Sequence, residues 1–386
     1  MQIDFHFGAT YAIARIAGFA HAPAQTIATA AQYVDDSTTS GFLRFDNGVR
    51  FHRLATAHPM ISLENLSNDA AALSWLPFHF LPGNEGHDAP APHGADAYRR
   101  RLVCRPDSPV ARAMMDDVIR RRDAPHALHR LGIAAHVFID TFAHQGFVGE
   151  RDPLNRARDL QRADGRPLEG FEHLPALGHG QVGTYPDQPA LRWRYVDGED
   201  RVVERDNPRD FLRAADRLCQ EFRRHLAGDP AADAPGLGAA LPAVRRLVEA
   251  LVADSGEQRL EGWLEAIAGD AFGFGPALPR YVGKGEGSWK HLALGDDYLT
   301  WLQSAAAALH RREQELAGWR RIGAALAEDV VHRTEALAVR LDLEEHSYRF
   351  SEGFLASDYK RFHDAAEEQR YIVFRTILPR FGIHSA

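Results

Sequence analysis

The sequence predicts an all-α protein: a multi-helix bundle with one small β-hairpin and an extra C-terminal helical layer. Three observations carry that reading. Alanine-rich segments with apolar residues at helical spacing recur along all 386 residues. The one strong strand signal is "ALRWRYVDGEDRVVER", a hairpin about Asp197-Gly198. Residues 129–147, "HRLGIAAHVFIDTFAHQGF", read as a buried helix with a polar stripe.

The elements follow in order. "GATYAIARIAGF" and "AQTIATAAQYV" are alanine-rich helices near the start. Residues 83–97 form a polar loop. "SPVARAMMDDVIRRR" opens with Ser108 before Pro109, a cap followed by a first-turn proline. "PRDFLRAADRLCQEFRRHL", "LPAVRRLVEALVA" and "SGEQRLEGWLEAIAG" continue the helical pattern, as do a long stretch from Asp296 to Leu341 and the final "SDYKRFHDAAEEQRYIVFRTIL". "AGDPAADAPGLGA", residues 227–239, is the best linker. It divides a metal-binding helical core, 1–226, from a C-terminal helical region, 227–386. The second region is expected to pack on the first and to offer a surface for a partner protein.

Composition narrows the function. The apolar fraction is 45% and the charged fraction 25%, both ordinary for a globular chain. A formal charge of −8 argues against binding long nucleic acid, which needs a basic footprint. The 2 cysteines, Cys104 and Cys219, suit neither a disulfide framework nor a thiolate metal site. No 18-residue apolar run is present, so no membrane span is expected. The first residues have an acid at position 4 and no basic n-region. The expected location is cytoplasmic, with signal-independent export left open.

The stripe on residues 129–147 is the most informative feature. A helix turns about 100° per residue, so His129, His136, Asp140 and His144 share one face. Ile133, Ala143 and Phe147 lie on or beside it, so that face points inward. Burying unpaired imidazoles and a carboxylate costs several kcal/mol, roughly 2–7 per group. One metal ion supplies a partner for all of them, and His and Asp at i and i+4 have the geometry of helix-borne ligands. A hydrogen-bonded core network is the competing account of a single His-x-x-x-Asp pair. A third ligand one turn on favours metal.

The first half of the chain holds more such residues. Of the 20 histidines, 13 precede residue 188. His6 stands near the start, Asp35 and Asp36 end a helix, and His52 and His58 follow. His179 lies between two glycines, with Tyr185 and Asp187 just beyond. Oxygen and nitrogen ligands without thiolate suit an open hydrolytic site better than a structural zinc.

The order of these residues resembles the zinc-dependent phospholipase C and single-strand nuclease superfamily. That likeness implies an all-helical phosphodiesterase fold around two or three Zn2+ ions, or another divalent metal. His6 corresponds to the superfamily's first histidine. Asp36, or its neighbour Asp35, corresponds to the bridging or water-activating aspartate. His52 or His58 corresponds to the next histidine, His136 and Asp140 to the HxxxD helix, His144 to the histidine after it, and His179 to the late histidine. The pattern departs in two places: His144 follows HxxxD by four residues where the superfamily has six, and His179 with Asp187 replaces a late HxxxE pair. The chain also looks like an uncharacterised bacterial family marked by "RFDNG", "PFHFLPGN", "HRLG" and "GHGQVGTYPD".

The resulting expectation is a zinc hydrolase acting on phosphodiesters, including phospholipid headgroups. Asp35 or Asp36 would serve the water, and Trp75, Phe78 and Tyr185 would wall the substrate. Two alternatives stand beside it: an HD-like phosphohydrolase, and a non-enzymatic helical protein with a structural His/Asp network. The adjacent His-Asp pairs the former needs, His87-Asp88 and His363-Asp364, have no helical ligand context.

Overall fold

A computed structural model describes residues 1–57, 68–90, 94–253, 255–303 and 346–384. Of these, 54% are helical and 10% are in strands, and the strands form two three-stranded sheets. The fold is therefore mixed α/β, which corrects the all-α expectation. The missed strands are short and rich in arginine. β1 (Gly41–Phe45, GFLRF) and β2 (Arg50–Arg53, RFHR) pair antiparallel across a turn at Asp46, Asn47 and Gly48. β3 (Ala157–Arg162, ARDLQR) pairs with the predicted hairpin, β4 (Arg192–Asp197) and β5 (Val202–Asp206). None of the three shows a clean period-2 apolar alternation, so periodicity could not report them.

The helices were more legible. α1 (Thr10–Ala17) continues a π-helical turn over Asp4–Ala9, and α2 (His21–Asp36) follows. α3 (Asn68–Phe78) and α4 (Ala95–Leu102) precede α5 (Pro109–Arg120). The Ser108 hydroxyl caps α5 by accepting the Ala111 N–H at 3.1 Å, as the Ser-Pro signal predicts. α6 (Ala127–Ala143) carries the polar stripe, and α7 (Asn207–Ala227), α8 (Leu241–Ala250) and α9 (Gly256–Ala268) complete the run. Among the described residues no helix is long and apolar enough to cross a membrane. Most of the stretch expected to be helical from Asp296 to Leu341 lies outside the described residues.

The chain divides into two compact units. The first comprises Met1–Thr38, Thr56–Arg280 and Asp364–Ala386. In it α2 lies directly on α6: a Cβ at Gly132 would stand 2.3 Å from the Ile27 carbonyl oxygen, so only glycine permits the approach. The inner face of the β3-β4-β5 sheet buries Ala157, Leu160, Trp193 and Tyr195 against Phe80, Phe147 and Val182. Arg205 on β5 donates to the Phe142 and Ala143 carbonyls at 3.3 and 2.8 Å, satisfying the C-terminal end of α6. The other end of α6 is tied by Arg130 to Asp117 and Glu368 at 2.6 and 3.0 Å. That helix is thus fixed at both ends and along one face.

The second unit comprises Thr39–Ala55 and Tyr281–His363. It holds β1, β2 and the two-residue β6 (Ser347–Tyr348), which pairs parallel to β1. α10 (Trp289–Leu294) and α11 (Glu352–Ala356) belong to it as well.

Candidate metal centre

Helix α6 presents His136 and Asp140 one turn apart, with His144 as its C-cap residue. All three are buried, as are His6 and Asp187. Three groups have their ligand atoms within 4.8 Å of one another and can hold a metal ion: His6, His136 and Asp140; Asp35, His79 and His136; His144, His179 and Asp187. His136 is shared by two of them. Asp140 links the groups, with Oδ1 3.3 Å from His6 Nε2 and Oδ2 3.1, 3.5 and 3.6 Å from His136 Nε2, His79 Nδ1 and His144 Nδ1. Asp35 closes one side, 3.8 Å from both His79 Nδ1 and His136 Nε2.

The outer nitrogens decide what the inner ones offer. His136 Nδ1 lies 2.8 Å from the Ala31 carbonyl, and His79 Nε2 lies 3.1 Å from the Thr56 carbonyl. His144 Nδ1 meets the His79 carbonyl at 2.9 Å, and His179 Nδ1 meets that of Gly183 at 2.8 Å. A carbonyl oxygen only accepts, so each outer nitrogen carries the proton and each inner nitrogen presents a lone pair. Backbone partners that fix the tautomer in this way are characteristic of metal-ligating histidine. The consequence is sharpest between His136 Nε2 and His79 Nδ1, which face each other at 3.2 Å. Two lone pairs, the Asp140 Oδ2 and the Asp35 carboxylate converge there. Asp140 Oδ2 has no hydrogen-bond partner, nor has either nitrogen of His6, whose ring stacks on His136 at 3.8 Å. Buried acceptors facing one another are stable with a cation between them.

The electrostatics agree. Burial lowers His6 to about 4, aided by the nearby Met1 ammonium, and burial also lowers His79 and His136. His179 is pushed down to about 4 for the same reason. These rings are neutral at pH 7, the form that ligates metal. Burial alone would raise Asp140, but His144, the Met1 amine, His136 and His6 hold it well below the usual carboxylate range. Burial, followed by the Asp140 charge, raises Asp35 well above it. The Met1 amine sits 2.5 Å from Asp140 Oδ1, 3.1 Å from Asp187 Oδ1 and 3.4 Å from His144 Nε2. It therefore pairs first with Asp140 of the first group and then with Asp187 and His144 of the third, while the contact between His79 and His136 lies outside its ion pairs.

A family model described as a family of unknown function, DUF6765, matches residues 1–377. The chain belongs to DUF6765. No curated protein and no solved structure matches it. Within DUF6765 the centre is thus read from its own chemistry, and the likeness to zinc phospholipases rests on the residue pattern alone.

For this DUF6765 chain, the structure brings together His6, Asp35, His136, Asp140, His144 and His179 of the sequence-predicted residues. Asp36 is exposed at the end of α2 and belongs to none of the three groups. His52 is exposed on β2 in the second unit, its ring 5.2 Å from Phe42, and is likewise outside the groups. His58 lies outside the described residues. His129, buried near the start of α6, joins none of the groups. Trp75 is half-buried with its ring 5.1 Å from His79, and Tyr185 is half-buried two residues before Asp187. Phe78 is wholly buried in the core. His79 is the ligand candidate that sequence reasoning missed. It stands in "PFHFLPGN", just beyond α3, with apolar neighbours on both sides.

Proposed function

We infer that this protein is a divalent-metal-dependent hydrolase of phosphodiesters, with zinc the favoured ion and phospholipid headgroups within the substrate class. The observation that carries the metal is the convergence of the His79 and His136 lone pairs with Asp35 and Asp140. Nitrogen and oxygen ligands in overlapping groups suit a multi-ion hydrolytic site. A divalent ion bound there supplies Lewis acidity to phosphoryl oxygens and brings the pKa of water to about 7.

The chain's own residues divide the remaining work. His6, His79, His136 and Asp140 hold the ion-binding volume, and His144, His179 and Asp187 form a second lobe of it. Asp35 differs from the others in being 32% exposed on its side chain, whereas Asp140 is 1% exposed. A half-buried carboxylate beside the ligand groups would take a proton from attacking water. Trp75, a half-buried ring 5.1 Å from His79, and Tyr185, half-buried two residues before Asp187, would contact the organic part of the substrate. The net charge of −8 favours a small phosphodiester or lipid headgroup over a long polyanion.

The test is a substrate panel: bis-(p-nitrophenyl) phosphate, phosphatidylcholine, phosphatidylethanolamine and single-stranded DNA, with zinc-loaded protein and with EDTA. Turnover of a small phosphodiester or a phospholipid, lost with EDTA and lowered about 100-fold or more in Asp35→Asn, supports the reading. Full metal loading with no turnover of any of the four would remove the hydrolase assignment and leave a metal-binding protein.

A further inference from the structure

The second unit contains an arrangement of the opposite sign. Arg53, the last residue of β2, is 1% exposed. Its Nη2 donates to the Ser40 carbonyl at 3.3 Å, while Nε and Nη1 are buried with no hydrogen-bond partner. Tyr348 on β6 is fully buried, and its hydroxyl is also without a partner. His363 accepts the Leu54 N–H on Nδ1 at 3.3 Å, which leaves the proton on Nε2, and that N–H has no acceptor. Lys290 adds an amine, held over the rings of Tyr298 and Trp301 at 4.7 and 5.3 Å, that burial followed by the Arg53 charge lowers to about 7.

These groups lie close enough to act on one another. The Arg53 charge bears on Lys290, His363, Tyr348 and Tyr359, and the Lys290 charge bears on His363. Tyr359 hydrogen-bonds to the Arg53 guanidinium, and its ring meets that of His363 at 4.7 Å. Among the described residues no carboxylate pairs with Arg53 or Lys290. Asp297, whose charge bears on Tyr348, is exposed and accepts the Arg349 N–H at 3.3 Å.

A buried guanidinium without a counter-ion is costly. Among the described residues the Arg53 charge is uncompensated, and the groups it bears on are further donors. The unpartnered Nε and Nη1 of Arg53 offer two N–H directions, His363 one, Tyr348 a hydroxyl and Lys290 its amine. A multidentate oxyanion accepts from all of them, and a planar guanidinium matches phosphate in a fork. The fixed positive charge is that of Arg53: burial, then Arg53 and Lys290, lowers the His363 ring to about 3, so at neutral pH it offers an N–H and no charge.

We propose that Arg53, Lys290, Tyr348 and His363 form an oxyanion-binding site in the second unit whose ligand is phosphate, free or as the terminal phosphoryl group of a small phosphomonoester. This site is independent of the metal centre and of the hydrolase reading.

The experiment is isothermal titration of the full chain in EDTA with orthophosphate and, separately, with glycerol 3-phosphate, accompanied by thermal melts. Wild type binds at least one of the two, and its melting temperature rises by roughly 3 °C or more at saturation. Binding of both identifies a site that accepts a terminal phosphoryl group; binding of orthophosphate alone identifies a closed site for the free ion. Tyr348→Phe, which removes only an unpartnered hydroxyl, weakens the affinity about tenfold. Arg53→Met and Lys290→Met weaken it further, and Asp140→Asn in the first unit leaves it unchanged. If Arg53→Met does not fold, Tyr348→Phe and Lys290→Met carry the comparison. No binding of either ligand at about 10 mM, ten times a millimolar dissociation constant, or wild-type affinity in Tyr348→Phe and Lys290→Met, overturns the site.

Discussion

Replacing Asp140 by asparagine separates a metal centre from a structural network. Asp140 faces four imidazoles within 3.6 Å, and its Oδ2 has no hydrogen-bond partner. In a structural network the carboxylate would be one partner of buried ion pairs. Its loss would then cost about 3–5 kcal/mol whether or not metal is present. In a metal centre a metal-dependent loss is added to that of the Met1–Asp140 pair. Zinc at about 1,000 times its dissociation constant stabilises the folded state by about 4 kcal/mol. At about 2–4 °C per kcal/mol, a value for domains of 150–250 residues, that is a rise on the order of 10 °C. Asp140→Asn keeps the shape but removes a shared charged ligand. A 100-fold loss of affinity takes away about 2.8 kcal/mol, leaving roughly a third of the rise. The measurement is a thermal melt of wild type and variant with EDTA and with zinc, beside elemental analysis of both. A variant with wild-type zinc content and a wild-type shift would refute the reasoning. So would a wild type that melts identically with and without zinc.

Two further outcomes follow from packing and burial. Gly132→Val drives a side chain into the Ile27 carbonyl and Ala30 Cβ, which a Cβ alone would meet at 2.3 and 2.6 Å; it should cost about 1–3 kcal/mol. Because α2 supplies both Asp35 and the Ala31 carbonyl that orients His136, zinc affinity should fall with it, and unchanged affinity by competition titration would contradict that coupling. Burial, with Arg122 adding to it, lowers His225 to about 4. Between about pH 6.5 and 4 the unfolded chain binds a proton there and the folded chain does not, so stability falls as pH drops through that window, by up to about 1.4 kcal/mol per pH unit. In urea titrations across that range, His225→Leu should flatten the slope by that amount, and equal slopes would count against it.

The parts of the fold that were legible are those with a period. The stripe on α6 was visible because His136, Asp140 and His144 recur every four residues, and the Ser108-Pro109 cap and the hairpin at Asp197 had local signals of their own. His79 had neither: it lies 57 residues from His136 and owes its role to where the end of α3 comes to rest. The choice between Asp35 and Asp36 turned on one residue of helix phase, about 100°. Asp35 sits one turn after Ala31, whose carbonyl holds His136, and so shares its face. The β1-β2 ribbon was hidden because Arg44, Arg50 and Arg53 occupy strand positions. Its "DNG" turn was the one cue available, and Arg53 itself proved to be a buried charge and not a solvated one.

The carbonyls that orient the four imidazoles have a consequence for biosynthesis. They come from Ala31, Thr56, His79 and Gly183, and the candidate ligands extend from His6 to Asp187. No short stretch of chain reproduces the arrangement. A polypeptide emerging from the ribosome would have to present residue 187 before the last group could close, so on the proposed metal reading loading would follow synthesis of the first half of the protein instead of accompanying it. On the proposed metal reading, a bound ion would mark completed folding, and a chain that opened at any one of those four points would release it.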